Sequence, residues 1–269
     1  MKRLSRVLLA LPLAALVVGT YVLVAWPDRS DAADPTLPGP VAALADRGLN
    51  IVEKFDAPSG LTGYAATFQG RPMAIYLTKD GKHAILGTLL DAKGSDMSAE
   101  PLERIVSGPQ NKNAWDKLES SYWVGDGSND AEVIVYEFTD PNCPYCHKFW
   151  QAARPWVKAG KVQIRHVLVG ILKADSAPKA ATILGADDPG AAFTRSEQNY
   201  ARGGIQVAAD IPDEARKKVA ANNELMSSLG YSATPTILYK TDNGEVRVKQ
   251  GLPQGQEIEA IFGGQRPQQ

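Results

Sequence analysis

Only two cysteines occur in the 269 residues, Cys143 and Cys146, and they stand directly behind an apolar strand. Glu132-Val133-Ile134-Val135-Tyr136-Glu137-Phe138 is rich in the β-branched and aromatic side chains that suit a pleated surface. Asp140-Pro141-Asn142 then turns the chain, and a helix carrying Phe149, Trp150, Trp156 and Val157 follows. A strand that ends in C-x-x-C at the mouth of a helix limits the fold more than any other feature. Val162 to Leu172 predicts a second strand, and residues 176–230, rich in Ala, Lys, Asp and Glu, predict helices. Thr236–Tyr239 predicts a third strand, Asp242-Asn243-Gly244 a hairpin turn into Val246–Lys249, and Gln256–Phe262 a closing helix. Strand–helix–strand, a helical insert, a hairpin and a helix make an α/β sandwich.

The part before it reads as separate units. Lys2, Arg3 and Arg6 precede an uncharged apolar run from Val7 to Ala25. This is an export address, either a cleaved signal or an uncleaved anchor at residues 7–25, with 1–26 as the whole segment. No cysteine stands at its end to carry a lipid. The basic residues stay on the cytoplasmic side, so the remainder is expected outside, in an oxidising compartment where disulfides persist. Residues 27–37 continue as a proline-containing tether. In residues 38–97, Val41–Leu49 has helical spacing. Tyr64–Phe68, Met73–Thr78 and His83–Leu90 read as strands punctuated by Gln69-Gly70 and Lys79-Asp80-Gly81. A small antiparallel sheet has exposed edges, covered either by a partner subunit or by the other domain. Residues 98–130 read as a helical connector, broken at Gly108-Pro109 and ending in the Gly125–Asp130 linker.

Composition narrows the function. Apolar residues are 44% and charged residues 22%, which is ordinary globular composition. The 29 basic and 30 acidic residues leave a net charge of −1, which argues against a nucleic-acid partner. Two cysteines cannot make a four-cysteine zinc site or a disulfide framework.

A cysteine in a first helical turn faces unpaired N–H groups and the positive end of the helix dipole. Both favour thiolate, so Cys143 is the candidate nucleophile and a good leaving group. Cys146 lies on the same helix face and can attack a mixed disulfide at Cys143. A Cys143–Cys146 disulfide closes too small a loop to be a useful staple. Pro144 stiffens the turn. Rival readings remain: a metal clip completed by His83, His147 or His166; a c-type haem through Cys143-Pro144-Tyr145-Cys146-His147; or an inert structural pair. Glu137 is six residues before Cys143. It is either a buried carboxylate below the cysteines that relays the Cys146 proton, or a solvent-facing strand residue, since one register step flips the face. In Ala233-Thr234-Pro235-Thr236-Ile237 a proline opens a strand, which implies an edge or a cis bond and makes Thr234 and Pro235 candidate substrate contacts.

FTDPNCPYCHKFW (Phe138–Trp150), ARPWVKAGKVQIRHVLVGILK and ATPTILYKTDNGEVRVKQGLP together resemble the DsbC/DsbG disulfide isomerases of the thioredoxin superfamily, over about residues 38–265. The resemblance implies an α/β, thioredoxin-like C-terminal domain (131–265) with a helical insert, a small N-terminal α+β dimerisation domain (38–97) and a helical linker (98–130). It implies a V-shaped homodimer and protein substrates bearing cysteines. Cys143 would attack and Cys146 resolve, with Pro144 and Tyr145 tuning the pair. Pro235 would be cis after Thr234, no cofactor would be needed, and a membrane reductase of the DsbD type would supply electrons. Isomerisation of wrong disulfides, chaperone-like binding and reduction of sulfenylated cysteines are the implied activities. A holdase and an oxidant like DsbA, whose buried acid Glu137 resembles, are the other functional readings.

Overall fold

The computed structural model describes residues 37–267. The export address and nearly all of the tether lie outside the described residues. No helix among the described residues is long and apolar enough to cross a membrane.

The N-terminal unit is one helix on a four-stranded antiparallel sheet. Helix α1 is Gly39–Ala45, and the strands β1 (Asn50–Asp56), β2 (Thr62–Phe68), β3 (Arg71–Leu77) and β4 (Ala84–Leu86) pair in chain order. Strand β1 is an addition to the sequence reading. Its core, Val52-Glu53-Lys54, is charged and exposed because it is an edge strand. The Gln69-Gly70 turn joins β2 and β3 with both residues at positive φ (50° and 77°), the backbone a two-residue hairpin requires. One face of the sheet packs Tyr64, Ala66, Ile75 and Leu77 on Val41 of α1. The other packs Phe55, Ala65, Ala74 and Tyr76 on Ile105 and Val106. Gly63 is required at its position, because a Cβ there would meet the Phe55 ring at 2.3 Å.

The connector differs from expectation at both marked points. Gly108-Pro109 does not break it. Helix α2 (Ala99–Leu102) runs through a π-helical turn, Glu103–Ser107, into α3 (Gly108–Glu119), and so passes Pro109 without ending. The stretch Trp123–Asp126 is a strand, β5, at the edge of the second sheet and not the end of a linker. The boundary at residue 130 therefore moves towards the N-terminus.

The second sheet has five strands in the order β5-β7-β6-β8-β9: β6 is Val133–Thr139, β7 Val162–Leu168, β8 Thr236–Lys240 and β9 Val246–Gln250. β6 and β7 are parallel, joined through helix α4 (Pro144–Lys158); the other pairs are antiparallel. Alternation decides what faces what. Val135 and Ile164 point to α4 and the closing helix α8 (Gln256–Ile261), meeting Phe149, Ala153, Trp156 and Phe262. Tyr136, Phe138, Val167 and Leu238 point the other way, onto Trp115 and Leu118 of α3 and Met226 of helix α7 (Asp213–Ser228). Trp150 and Trp156 are buried, so both serve packing; each such ring contributes on the order of 2–3 kcal/mol of burial. The insert, α5 (Ser176–Leu184) and α6 (Pro189–Gln198), packs Ile183 and Phe193 against Trp150 and Val219 of α7.

Candidate active site

Cys143 is the N-cap of α4, one position ahead of the helical turn in which the sequence places it. Its backbone is extended (φ −82°, ψ 114°), and its Sγ accepts the N–H of Cys146 at 3.1 Å. A Ser or Asp oxygen makes the same bond at ordinary N-caps. Pro144 opens the helix, where its fixed φ fits and no N–H is needed. The Cys143 thiol donates to the Thr234 carbonyl at 3.4 Å, and the Thr234–Pro235 peptide is cis. Both cysteines are buried at 2% exposure, while Tyr145 between them is 54% exposed, with Lys148 Nζ 5.5 Å from its ring centre.

The two thiols are driven apart in acidity. A hydrogen bond from the Cys146 side chain holds Cys143 down to about 7; burial opposes this, and the Thr234 side chain and the N–H groups of Cys146 and Tyr145 add to it. Cys146 is pushed far up, first by burial and then by the Cys143 sulfur and the Glu137 charge. One sulfur is an anion near neutral pH and the other keeps its proton.

Glu137 points inward. It shares the α4 face of β6 with Val135 and is fully buried. Its Oε2 accepts from His166 Nδ1 at 2.7 Å, and its Oε1 has no hydrogen-bond partner. His166, opposite it on β7, donates through Nε2 to Asp126 Oδ2 at 3.3 Å, and the Arg154 guanidinium grips both Asp126 oxygens. Burial pushes the Glu137 carboxyl up, and the His166 bond limits the rise. Burial would raise Asp126 too, but its bonds to His166 and Arg154 hold it well below the usual carboxylate range.

Two further groups fix the loop before the cysteines. Asp140 accepts the N–H groups of Ile171 (2.8 Å) and Leu172 (3.0 Å) on one oxygen, and those of Asn142 (2.8 Å) and the Ser176 hydroxyl (2.8 Å) on the other. His147 meets Glu197 of α6 at 2.7 Å and stacks on Tyr200 at 4.3 Å; the Tyr200 hydroxyl donates to the Asn142 carbonyl. His147 thus meets a carboxylate through Nδ1, and His166 meets carboxylates through both ring nitrogens.

The structure brings Cys143, Cys146 and the cis Thr234–Pro235 peptide together, and it buries Glu137. Asp126, Asp140, Glu197 and Tyr200 are absent from that reading, and His166 enters it only as a metal ligand. The one available signal was a polar residue on an otherwise apolar strand face, as His166 is beside Val162, Ile164 and Leu168.

Residues 127–264 match the thioredoxin-like domain family. The thiol:disulfide interchange protein DsbG of Pseudomonas aeruginosa is 48% identical over 84% of this chain and 89% of its own length. DsbG of Escherichia coli strain K12 is 41% identical over 84% of this chain and 92% of its own. The interchange protein DsbC of Dickeya dadantii is 26% identical over 74% and 76%. The matches to the two DsbG proteins span both units of the fold, and with the C-x-x-C pair at the N-cap of α4 they establish that the chain belongs to the DsbG family of thiol:disulfide interchange proteins.

Proposed function

We propose that this chain is an exported thiol–disulfide oxidoreductase of protein substrates, working in the periplasm as isomerase and reductase. The observation that carries the reading is the split between its two sulfurs: Cys143 capped by an N–H and held near 7, Cys146 buried and held as a thiol. The Cys143 thiolate attacks a substrate disulfide, forms a mixed disulfide and releases one substrate thiolate, which takes a proton from water. A second substrate thiol can then attack and leave Cys143 reduced, which is isomerisation. Alternatively, Cys146 gives its proton to Glu137 and attacks Cys143; the substrate leaves reduced by two electrons and Cys143–Cys146 becomes the disulfide. The same thiolate attacks the sulfur of a sulfenic acid: a mixed disulfide forms, and the hydroxide that leaves takes a proton from solvent to become water. A membrane reductase of the DsbD type would restore the pair.

Thr234 stands beside Cys143 as the substrate backbone contact, and Tyr145, with Ile171 and Leu172 exposed where their N–H groups bond to Asp140, offers apolar surface to unfolded chains. We infer a homodimer through the N-terminal sheet. Its edge strand β4 carries Ile85 and Leu86, 55% and 39% exposed, with Leu90 and Met97 also exposed. Such an apolar edge is a pairing template.

The test is refolding of a scrambled disulfide substrate together with suppression of aggregation of a cysteine-free client. Cys143→Ser abolishes refolding and leaves aggregation suppression intact. Loss of both would favour a fold defect, and full refolding by the variant would overturn the reading. The buried Glu137 beside Cys146 favours a second reading, an oxidant; net oxidation of a dithiol peptide in a glutathione buffer, rather than isomerisation, would select it.

A further inference from the structure

The proposed mechanism asks Glu137 to take a proton from Cys146 while buried without water. A lone carboxylate in that position would hold its own proton and be useless as a base. Glu137 is not alone. His166 lies wholly buried between Glu137, 2.7 Å from Nδ1, and Asp126, 3.3 Å from Nε2. Each imidazole nitrogen faces a carboxylate oxygen, and only a doubly protonated ring donates to both. Arg154 closes the chain at its outer end by holding Asp126 with both guanidinium nitrogens. The charges then balance: Arg154 and His166 as cations, Asp126 and Glu137 as anions.

Every element packed on His166 agrees with this arrangement. β6 presents Glu137, β5 presents Asp126, α4 reaches it through Arg154, and α6 lays the Phe193 ring 4.2 Å away while adding the Glu197 charge. Burial alone would strip the proton from His166, but its bonds to Asp126 and Glu137 override that and hold it up at about 9.

We propose that His166 is a positioning residue: a buried imidazolium, fixed by Asp126 and Arg154, that keeps Glu137 charged at working pH so that its unpartnered Oε1 can receive the Cys146 proton. The inference rests on the role given to Glu137 above. The step balances. The proton leaves Cys146 for Glu137, the Cys146 sulfur pair forms the bond to Cys143, and the Cys143–substrate bond breaks with its electrons going to the substrate sulfur.

The experiment follows the reduced protein with 5,5′-dithiobis(2-nitrobenzoate) in stopped flow. Attack by Cys143 releases one chromophore and resolution by Cys146 releases the second, so the first phase is an internal reference for the second. His166→Gln keeps a hydrogen-bond donor to Glu137 but removes the cation. It slows the second phase about tenfold at neutral pH, and moves its acid limb upward by about one pH unit or more. Glu137→Gln abolishes the acid limb. If Glu137→Gln changes the second phase and His166→Gln does not, the inference is overturned while the Glu137 role stands. If Glu137→Gln leaves the profile untouched, both fall. Where His166→Gln fails to fold, ¹⁵N imidazole NMR of the unmodified protein decides: the chain has three histidines, and one must keep both ring nitrogens protonated through pH 8. A spectrum in which all three are neutral at that pH overturns the inference.

Discussion

Nδ1 of His147 lies 2.7 Å from Oε2 of Glu197, which ties the first turn of the active-site helix to the insert fifty residues on. Both side chains are largely out of water, at 17% and 4% exposure. Cutting one partner leaves the other's buried polar atom without a hydrogen bond, a loss of about 2 kcal/mol. Glu197→Ala is expected to lower the urea midpoint by that amount at unchanged m, and to speed amide exchange across Pro189–Gln198. Glu197→Gln, which keeps a hydrogen bond, is expected to lose about 1 kcal/mol.

Sulfur as an N-cap has its own consequence. Cys143→Ser supplies an oxygen to the Cys146 N–H, while Cys143→Ala supplies nothing. Urea unfolding of the reduced proteins is expected to rank the serine variant above the alanine variant by about 1 kcal/mol. Both lack exchange activity. Equal stability would show that the cap contributes nothing.

The catalytic strand, its helix and the cysteines were legible because their signals are local: β-branched runs, a Pro-Asn turn, spacing of three. What escaped the sequence depends on distant partners. Trp123–Asp126 is four residues ending in Gly-Asp, and nothing nearby marks it as a strand; it is one because β7, about forty residues later, pairs with it. Gly108-Pro109 reads as a break, yet a π-helical turn ahead of it lets the helix pass. Glu137 and His166 could each be seen as polar in an apolar strand. That they meet is a matter of parallel register, which a one-residue slip would abolish.

Gly170 couples the loop after β7 to the site. A Cβ there would lie 2.3 Å from Ala177 Cα and 2.4 Å from its backbone nitrogen, and backbone at the head of α5 has nowhere to go. The next two residues, Ile171 and Leu172, donate to Asp140, which also anchors Asn142 beside Cys143. Gly170→Ala is therefore expected to cost about 2–3 kcal/mol. It should also weaken both N–H bonds to Asp140, seen as lost exchange protection at Ile171 and Leu172.

The buried chain from Arg154 to Glu137 sets how stability depends on pH at both ends of the range. His166 is held up at about 9 in the folded protein against 6.5 for a free ring, so the folded state binds its proton more tightly than the unfolded chain. Its contribution is complete below 6.5 and is lost as pH rises through 9; two to three pH units of displacement correspond to roughly 3 kcal/mol as an upper bound. Asp126 has the opposite sign. Its folded carboxyl is more acidic than the unfolded value of 3.8, so its contribution is present above that value and fades as pH falls beneath it. Urea midpoints of the reduced protein are expected to be highest between the two and to decline from pH 6.5 to 9.5. His166→Gln should flatten the alkaline decline while leaving the acid one. An alkaline decline that survives the substitution unchanged would assign it to other groups.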